Sequence, residues 1–266
     1  MSFINSDKFL YIPSGDYKIG LNHADIRKIL SFMPLDKKIK TEYIKASSPQ
    51  VNVHPAPYYI SKKLISVFEF RSFIESAGYI TESEKEGWGW VWENGWKKKA
   101  GVYWEKPFGN EADAEYLNNG SLYPVMQVSW NDAVAYTRWI SEREGEIIRL
   151  PSEVEWEIFA AYTGIKSISE YKDNLRIEIS DSVQFLKTLG EKLKNSEFHT
   201  GLLWEWTDDW YQGYSSDMQN RDFGNIYKVL RGGSLLSEDI QKTREFRFRR
   251  CPTARSPYYG FRIVLN

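Results

Sequence analysis

The stretch Tyr123-Pro124-Val125-Met126-Gln127-Val128-Ser129-Trp130 decides how this chain is read. It is an apolar segment that feeds a helix. Ser129 is placed to cap that helix, because its side-chain oxygen accepts an amide hydrogen that the first turn leaves unpaired. Ala133, Tyr136 and Ile140 then recur at a spacing that shares one face. After a charged turn comes Arg149-Leu150-Pro151-Ser152-Glu153-Val154-Glu155-Trp156. Here Ser152 and Glu155 form an S-x-x-E capping box, so a second helix is predicted to start at Ser152. Two specified helix starts joined by a short Arg-Leu-Pro link predict a rigid unit.

Working outward, Phe9 to Gly20 reads as a hairpin of two short strands about a Pro/Ser/Gly turn. Leu21 to Gln50 is polar and basic, a surface loop with a helical piece around Ile26 to Met33. Val51 to Ile60 alternates weakly and reads as one strand. Ser66 and Glu69 make another capping box, for a helix that places Val67, Phe70, Ile74 and Ala77 on one face and stops at Gly78. From Glu82 to Gly109 the chain is dense in tryptophan and glycine. Rings at Trp88, Trp90, Trp92, Trp96, Trp104 and Phe108 are too many for a solvated loop, so this section covers the core or lines a cleft. Downstream, Ser182 to Leu189 suggests a short amphipathic helix, and strands are predicted at Gly201–Tyr211, Lys228–Ser234, Phe246–Arg249 and Gly260–Leu265. No linker or repeat divides the 266 residues, which predicts a single domain over 1–266.

Composition excludes several classes. The apolar content of 42% fills a substantial core, and the net charge of −1 leaves no electrostatic footprint for nucleic acid or an anionic membrane. No segment is long and apolar enough to span a bilayer, and one cysteine makes no intrachain disulfide. The expected compartment is the cytoplasm. The aromatic fraction of 16%, with eleven tryptophans, predicts a core of bulky rings whose polar atoms need partners, which suits a fold rich in ordered loop.

Several fragments together carry a resemblance: Tyr11-Ile12-Pro13-Ser14-Gly15, Tyr58-Tyr59-Ile60, Gly87-Trp88, Trp104 with Pro107-Phe108-Gly109, and Pro124-Val125 with Val128-Ser129-Trp130. After them come Arg149 to Glu157, Trp204-Glu205-Trp206, Leu230-Arg231-Gly232-Gly233-Ser234, and Arg255-Ser256-Pro257 with Gly260-Phe261-Arg262. In this order and spacing they resemble the formylglycine-generating enzyme, or sulfatase-modifying factor, domain across nearly the whole chain. The resemblance implies an α+β protein of the C-type lectin fold, with a few helices, short antiparallel strands and little other regular structure. It also implies oxygen-dependent oxidation of a substrate cysteine by two copper-binding thiols flanking an Arg-aromatic-Arg strand.

This sequence departs from that pattern where the chemistry sits. If the strand is Arg247-Phe248-Arg249, the thiol positions hold Glu245 and Arg250, and the only cysteine, Cys251, is one place off. A one-residue slip along a strand turns the side chain to the other face. One thiolate is also not the two-coordinate site that selects Cu(I). Copper and formylglycine production are therefore not expected. The resemblance further implies calcium held by Glu205, the carbonyls of Gly201 and Leu203, and an upstream Asn or Asp. Phe198 occupies that upstream position, which leaves Glu205 as a weakened candidate ligand.

Other chemistry is sparse. His23, His54 and His199 lie in separate regions without metal-ligand spacing, and the N-terminal helical domain that supplies histidines in the related iron oxygenases is not expected here, so a three-histidine iron site is not expected. Glu153, Glu155 and Glu157 share no single helix face on this reading, and Asp208 and Asp209 read as a turn. The basic run Arg244, Arg247, Arg249, Arg250 and Arg255 alternates along a strand. Arg247, Arg249 and Arg255 are expected to pair internally with acids such as Glu205 and Asp208. Glu245 and Arg250 are expected in the groove with Trp204 and Trp104, beside Cys251, Arg247 and Arg249. The functional expectation is a thiol-less relative whose groove binds a peptide or small polar ligand. The alternatives are a tailoring oxidoreductase like the pyoverdine-maturation members of the superfamily, or a protein partner or inhibitor of an active homologue, including assembly with itself.

Overall fold

The structure is a computed structural model that describes residues 6–32, 38–170 and 178–266. In chain order it contains β1 (Phe9–Ile12), β2 (Tyr17–Ile19), α1 (His23–Phe32), α2 (Lys38–Ala46), β3 (Val51–Val53) and β4 (Tyr58–Ser61). Next come α3 (Val67–Ala77), α4 (Glu82–Glu86), β5 (Trp88–Trp92), β6 (Trp96–Ala100), α5 (Ala112–Asn118) and α6 (Trp130–Glu144). The chain then forms β7 (Ile148–Arg149), α7 (Glu153–Tyr162) and α8 (Ser182–Lys194), and ends in β8 (Trp204–Trp210), β9 (Lys228–Arg231), β10 (Arg247–Arg250), β11 (Tyr259–Gly260) and β12 (Val264–Leu265).

Side chains fix where these helices begin. Ser66, Thr81, Ser129 and Ser152 each close a full capping box, with Glu69, Glu84, Asp132 and Glu155 as the reciprocating acids. Each cap is worth about 1 kcal/mol. Glycines in the left-handed conformation end three of the four helices, at Gly78, Gly87 and Gly145.

The strands form two four-stranded sheets, ordered β1-β4-β12-β7 and β10-β9-β8-β11, and two ribbons, β2-β3 and β5-β6. All pairings are antiparallel except β11 with β8. Helix α7 runs between the sheets. Ile158 and Phe159 pack with Ile12, Tyr58, Ile60 and Val264 of the first sheet, while Trp156 reaches the second by donating to Glu205. The main core is aromatic: Phe70 stacks on Tyr136 with centroids 6.0 Å apart, and Phe73 and Phe261 meet Tyr136 edge-on.

Four expectations are corrected. The stretch from Phe9 to Gly20 is not a hairpin, since β1 pairs with β4 and β2 with β3, so the Pro13–Asp16 link carries the chain between two sheets. Val51 to Ile60 is two strands, because Pro55 and Pro57 lack the N–H a ladder requires. Leu21 to Gln50 holds a second helix, α2, besides the one read near Ile26, whose last residue, Met33, lies outside the described residues. The buried face of α3 is Val67, Phe70 and Phe73, whereas Ala77 is exposed. The amphipathic reading at Ser182 holds, with α8 continuing to Lys194.

Candidate functional site

Strand β10 divides its residues by face, as a period of two requires. Arg247 and Arg249 lie on one side, each over the Tyr211 ring at 4.8 and 5.4 Å. Phe246 and Phe248 lie on the other against Trp204, whose ring stacks on Phe248 at 4.8 Å. Arg250 follows that second face and places its guanidinium over Phe248 at 4.1 Å.

The first face is an ion network. Arg247 is 1% exposed, forks onto both carboxylate oxygens of Glu153 and donates to the carbonyls of Ala46 and Gln212. Arg231, opposite Arg247 in β9, donates to Glu153 at 2.7 Å and to Glu157 at 2.5 Å. Burial would raise the Glu153 carboxyl, but the Arg247 and Arg231 guanidiniums outweigh it and hold it below the usual range. Glu157 shares only Arg231 and faces Glu245, so burial wins and its carboxyl is raised. The expected partners of Arg247, Glu205 and Asp208, are thus replaced by Glu153. Glu153 and Glu157, four residues apart, share one helix face, while Glu155 turns away to cap the helix and pair with Arg149, so the three carboxylates share no single face. Arg249 pairs with Asp222.

Glu245 and Arg250 do not meet. Five positions of alternation put them on opposite faces, and Glu245 is buried on the inner side, accepting from Ile168 N at 2.9 Å and Arg244 Nε at 3.0 Å. Trp204 is sealed beneath Phe248, Trp104 packs edge-on to Phe70 in the core, and Cys251 is exposed beyond the end of the strand. Of the residues expected in the groove, Trp204, Trp104, Glu245, Cys251, Arg247, Arg249 and Arg250, only Arg250 lines the pocket at the end of β10, where it meets Trp90 and Trp96 of the tryptophan-rich section and Arg255. That pocket, of about 350 Å3, is lined by Trp90, Trp96, Arg250, Ala254, Arg255, Ser256 and Tyr259.

The β5-β6 ribbon supplies the aromatic wall. Gly87 caps α4 and turns the chain into β5, and Gly89 then presses against Val102 and Gln127, where a Cβ would stand 2.6 and 2.8 Å from side-chain atoms. Gln127 fixes the ribbon. Its amide nitrogen donates to Trp90 O at 2.6 Å and Pro107 O at 2.8 Å, while its backbone N–H donates to Ser256 O at 3.0 Å on the opposite wall. It does so from a left-handed backbone, φ 56°, uncommon for a residue with a side chain. Gln127 interrupts the apolar run from Tyr123 to Val128, and a lone amide in such a run is the signal the sequence offers. Arg255, 2% exposed, donates to Glu86 at 2.9 Å and Trp88 O at 2.8 Å and stacks over the Trp88 ring at 4.0 Å. Glu86 titrates below its ordinary range because of the Arg255 hydrogen bond.

The metals implied by the resemblance do not fit these residues. A two-thiolate copper site has only Cys251 to draw on. Glu205, which is 0% exposed, already has both its oxygens engaged by a guanidinium. Arg262 forks onto both Glu205 oxygens at 2.5 and 2.9 Å and donates to the carbonyls of Ser61, Lys62 and His199, while Trp156 Nε1 donates to Glu205 at 2.8 Å. Phe198 packs edge-on to Phe159, over which the Arg262 guanidinium lies at 4.4 Å. The histidines fall in separate settings: His54 pairs with Asp16 on the surface, His23 opens α1, and His199 is buried. His199 lines a different cavity, of about 490 Å3, beside Lys62, Lys63 and Ser61. Asp209 accepts the Glu153 N–H at the start of α7, a structural task.

Fold and site together define a mixed helix-and-short-strand protein of the C-type-lectin-like class, with an arginine-and-tryptophan pocket where the C-terminal Arg-aromatic-Arg strand ends. The chain belongs to the sulfatase-modifying factor family: residues 3–266 match the family model described as Sulfatase-modifying factor enzyme 1-like domain. It is similar to the Formylglycine-generating enzyme of Streptomyces coelicolor, 26% identical over 82% of this chain and 81% of that one. It is also 26% identical to the Inactive C-alpha-formylglycine-generating enzyme 2 of Bos taurus, over 95% and 86% of the two chains. The Formylglycine-generating enzyme of Thermomonospora curvata is 31% identical over 56% of this chain, which spans about half (47%) of that protein. Among solved structures, PvdO from Pseudomonas aeruginosa shares the fold, with a TM-score of 0.59 at 15% identity over 97% of this chain and 94% of that one. Among the described residues no helix is long and apolar enough to cross a membrane.

Proposed function

We propose that this protein is a formylglycine-generating-enzyme-like protein without formylglycine-generating activity, and that it uses the pocket at the end of β10 to bind a peptide or small polar ligand. The observation that carries this reading is the fate of the two positions at which the resemblance implies thiols. Glu245 turns inward onto the Ile168 amide, and Arg250 enters a pocket walled by Trp90, Trp96 and Tyr259. A guanidinium and three rings recognise and hold; they supply neither the soft ligands nor the nucleophile of a thiol oxidation. Similarity to relatives named inactive, from Bos taurus and Mus musculus, runs the same way.

The test pairs chemistry with binding. The purified protein, supplied with copper and oxygen, is incubated with a cysteine-bearing peptide and the product is weighed by mass spectrometry. The peptide is expected to remain unconverted, and Trp96 is expected to report ligand binding through its indole NMR signal. Conversion of the peptide cysteine to an aldehyde would overturn the reading. A tailoring oxidoreductase would instead reveal itself by stoichiometric metal in the protein as purified.

A further inference from the structure

The pocket has an uncompensated charge of one sign. Its lining contains two arginines and no carboxylate. One of the two, Arg255, is neutralised by Glu86. The other, Arg250, is half-buried and has no carboxylate partner among the described residues: it donates to the carbonyl of its own neighbour Arg249 at 3.0 Å and lies within reach of the Tyr259 hydroxyl. The contrast with the surrounding arginines is the informative point. Arg231, Arg247 and Arg249, on the same two strands, each hold a carboxylate. A guanidinium partly withdrawn from water without a counter-charge is costly, and its planar fork of donors suits an oxyanion.

Two more observations agree. The rim strand β6 presents Lys97, Lys98 and Lys99, with the Lys98 ammonium over the Trp88 ring at 4.0 Å, and Glu93 is already shared between Lys97 and Lys99. The walls are flat and apolar, and Trp96 leaves 47% of its surface exposed above them. At about 350 Å3 the cavity lies at the small end of ligand sites, which run from roughly 300 Å3 upward.

Resting on the binding reading above, we infer that the ligand is an oxyanion, a carboxylate or phosphate carried on a flat or apolar body, with the anionic group on Arg250 and the body between Trp90, Trp96 and Tyr259. Cationic ligands are disfavoured by the unpaired charge of Arg250.

Four probes of similar shape test this by calorimetry at low salt, with the Trp90 and Trp96 indole signals followed by NMR: phenylpropionate, phenyl phosphate, phenylpropionamide and phenethylamine. The two anions are expected to bind at least about tenfold more tightly than the amide, with the ammonium weakest, and the tighter anion identifies the headgroup. In Arg250→Gln the preference for anions over the amide is expected to vanish, and in Arg250→Lys to survive in part. Arg250 is half-buried and makes no ion pair among the described residues, so an unchanged urea midpoint serves as the folding control. Equal or tighter binding of the amide or ammonium, or an anion preference that persists in Arg250→Gln, would overturn this inference and leave the binding reading standing. If none of the four probes moves either indole signal, the binding reading falls and this inference with it.

Discussion

A few buried polar side chains set the geometry that the apolar core merely fills. Glu153 is the clearest, because it counters two guanidiniums, Arg247 and Arg231, that have left water entirely. Removing one member of a buried ion pair costs about 3–5 kcal/mol, so Glu153→Gln should lower the urea unfolding midpoint sharply while Glu93→Gln, on the surface, should not. Gln127 works on a smaller scale. Gln127→Ala would orphan the buried carbonyl of Pro107, at a cost of about 1–3 kcal/mol, and the half-buried carbonyl of Trp90, at less. The expected signature is local: faster amide hydrogen exchange in the Trp88–Trp92 segment and a shifted Trp96 indole signal. Unchanged exchange there would show that Gln127 does not hold the wall.

At the scale of elements, the β5-β6 ribbon and strand β10 must meet for the pocket to exist, and small residues permit it. A Cβ at Gly89 would overlap Val102 and Gln127, so Gly89→Ala should destabilise by about 1–3 kcal/mol through overpacking. It should also weaken ligand binding at Arg250, which a purely global loss of stability, corrected for the folded fraction, would not. Helix α7 is the other organising element. Its cap faces Arg149 and Asp209, its buried face gives Glu153 and Glu157 to the sheet arginines, and Trp156 reaches Glu205. The capping boxes that start α3, α6 and α7 were legible at Ser66, Ser129 and Ser152 because a cap is a local bargain among four residues. The partners that α7 finds in the second sheet were not, because they arrive from 49 to 94 residues away.

For the molecule as a whole, the pairing of Glu205 with Arg262 leads to a simple expectation: calcium and a chelator should leave the melting temperature unchanged. A chelator-induced drop of several degrees would show that a cation shares Glu205 with Arg262. Acid stability has an equally definite sign. Burial first, and then the charges of Arg262 and Lys63, push the His199 imidazole down to about 3 from 6.5. The unfolded chain therefore takes up a proton as pH falls through 6.5, whereas the folded chain stays neutral until about 3. Stability is unaffected above the higher value and is lost between the two, on the order of 3 kcal/mol by about pH 4. Replacing the histidine with a non-titrating residue of similar shape, His199→Gln, should flatten that limb of the pH–stability profile. An unaltered limb would place the acid sensitivity elsewhere.

By itself the sequence determined the local punctuation and, through motifs in order, the family. It also determined that a pair of thiols is missing, since Glu245, Arg250 and Cys251 are facts of composition at known positions. Tertiary structure alone decided what became of those positions. Alternation sends Glu245 inward and Arg250 outward, but only the folded chain shows that Glu153 takes Arg247, that Arg262 takes Glu205, and that Arg250 is left facing three aromatic rings. The reason is range. Capping and strand period act over neighbouring residues, whereas the choice of partner for a buried charge depends on which distant segments the sheets bring into contact.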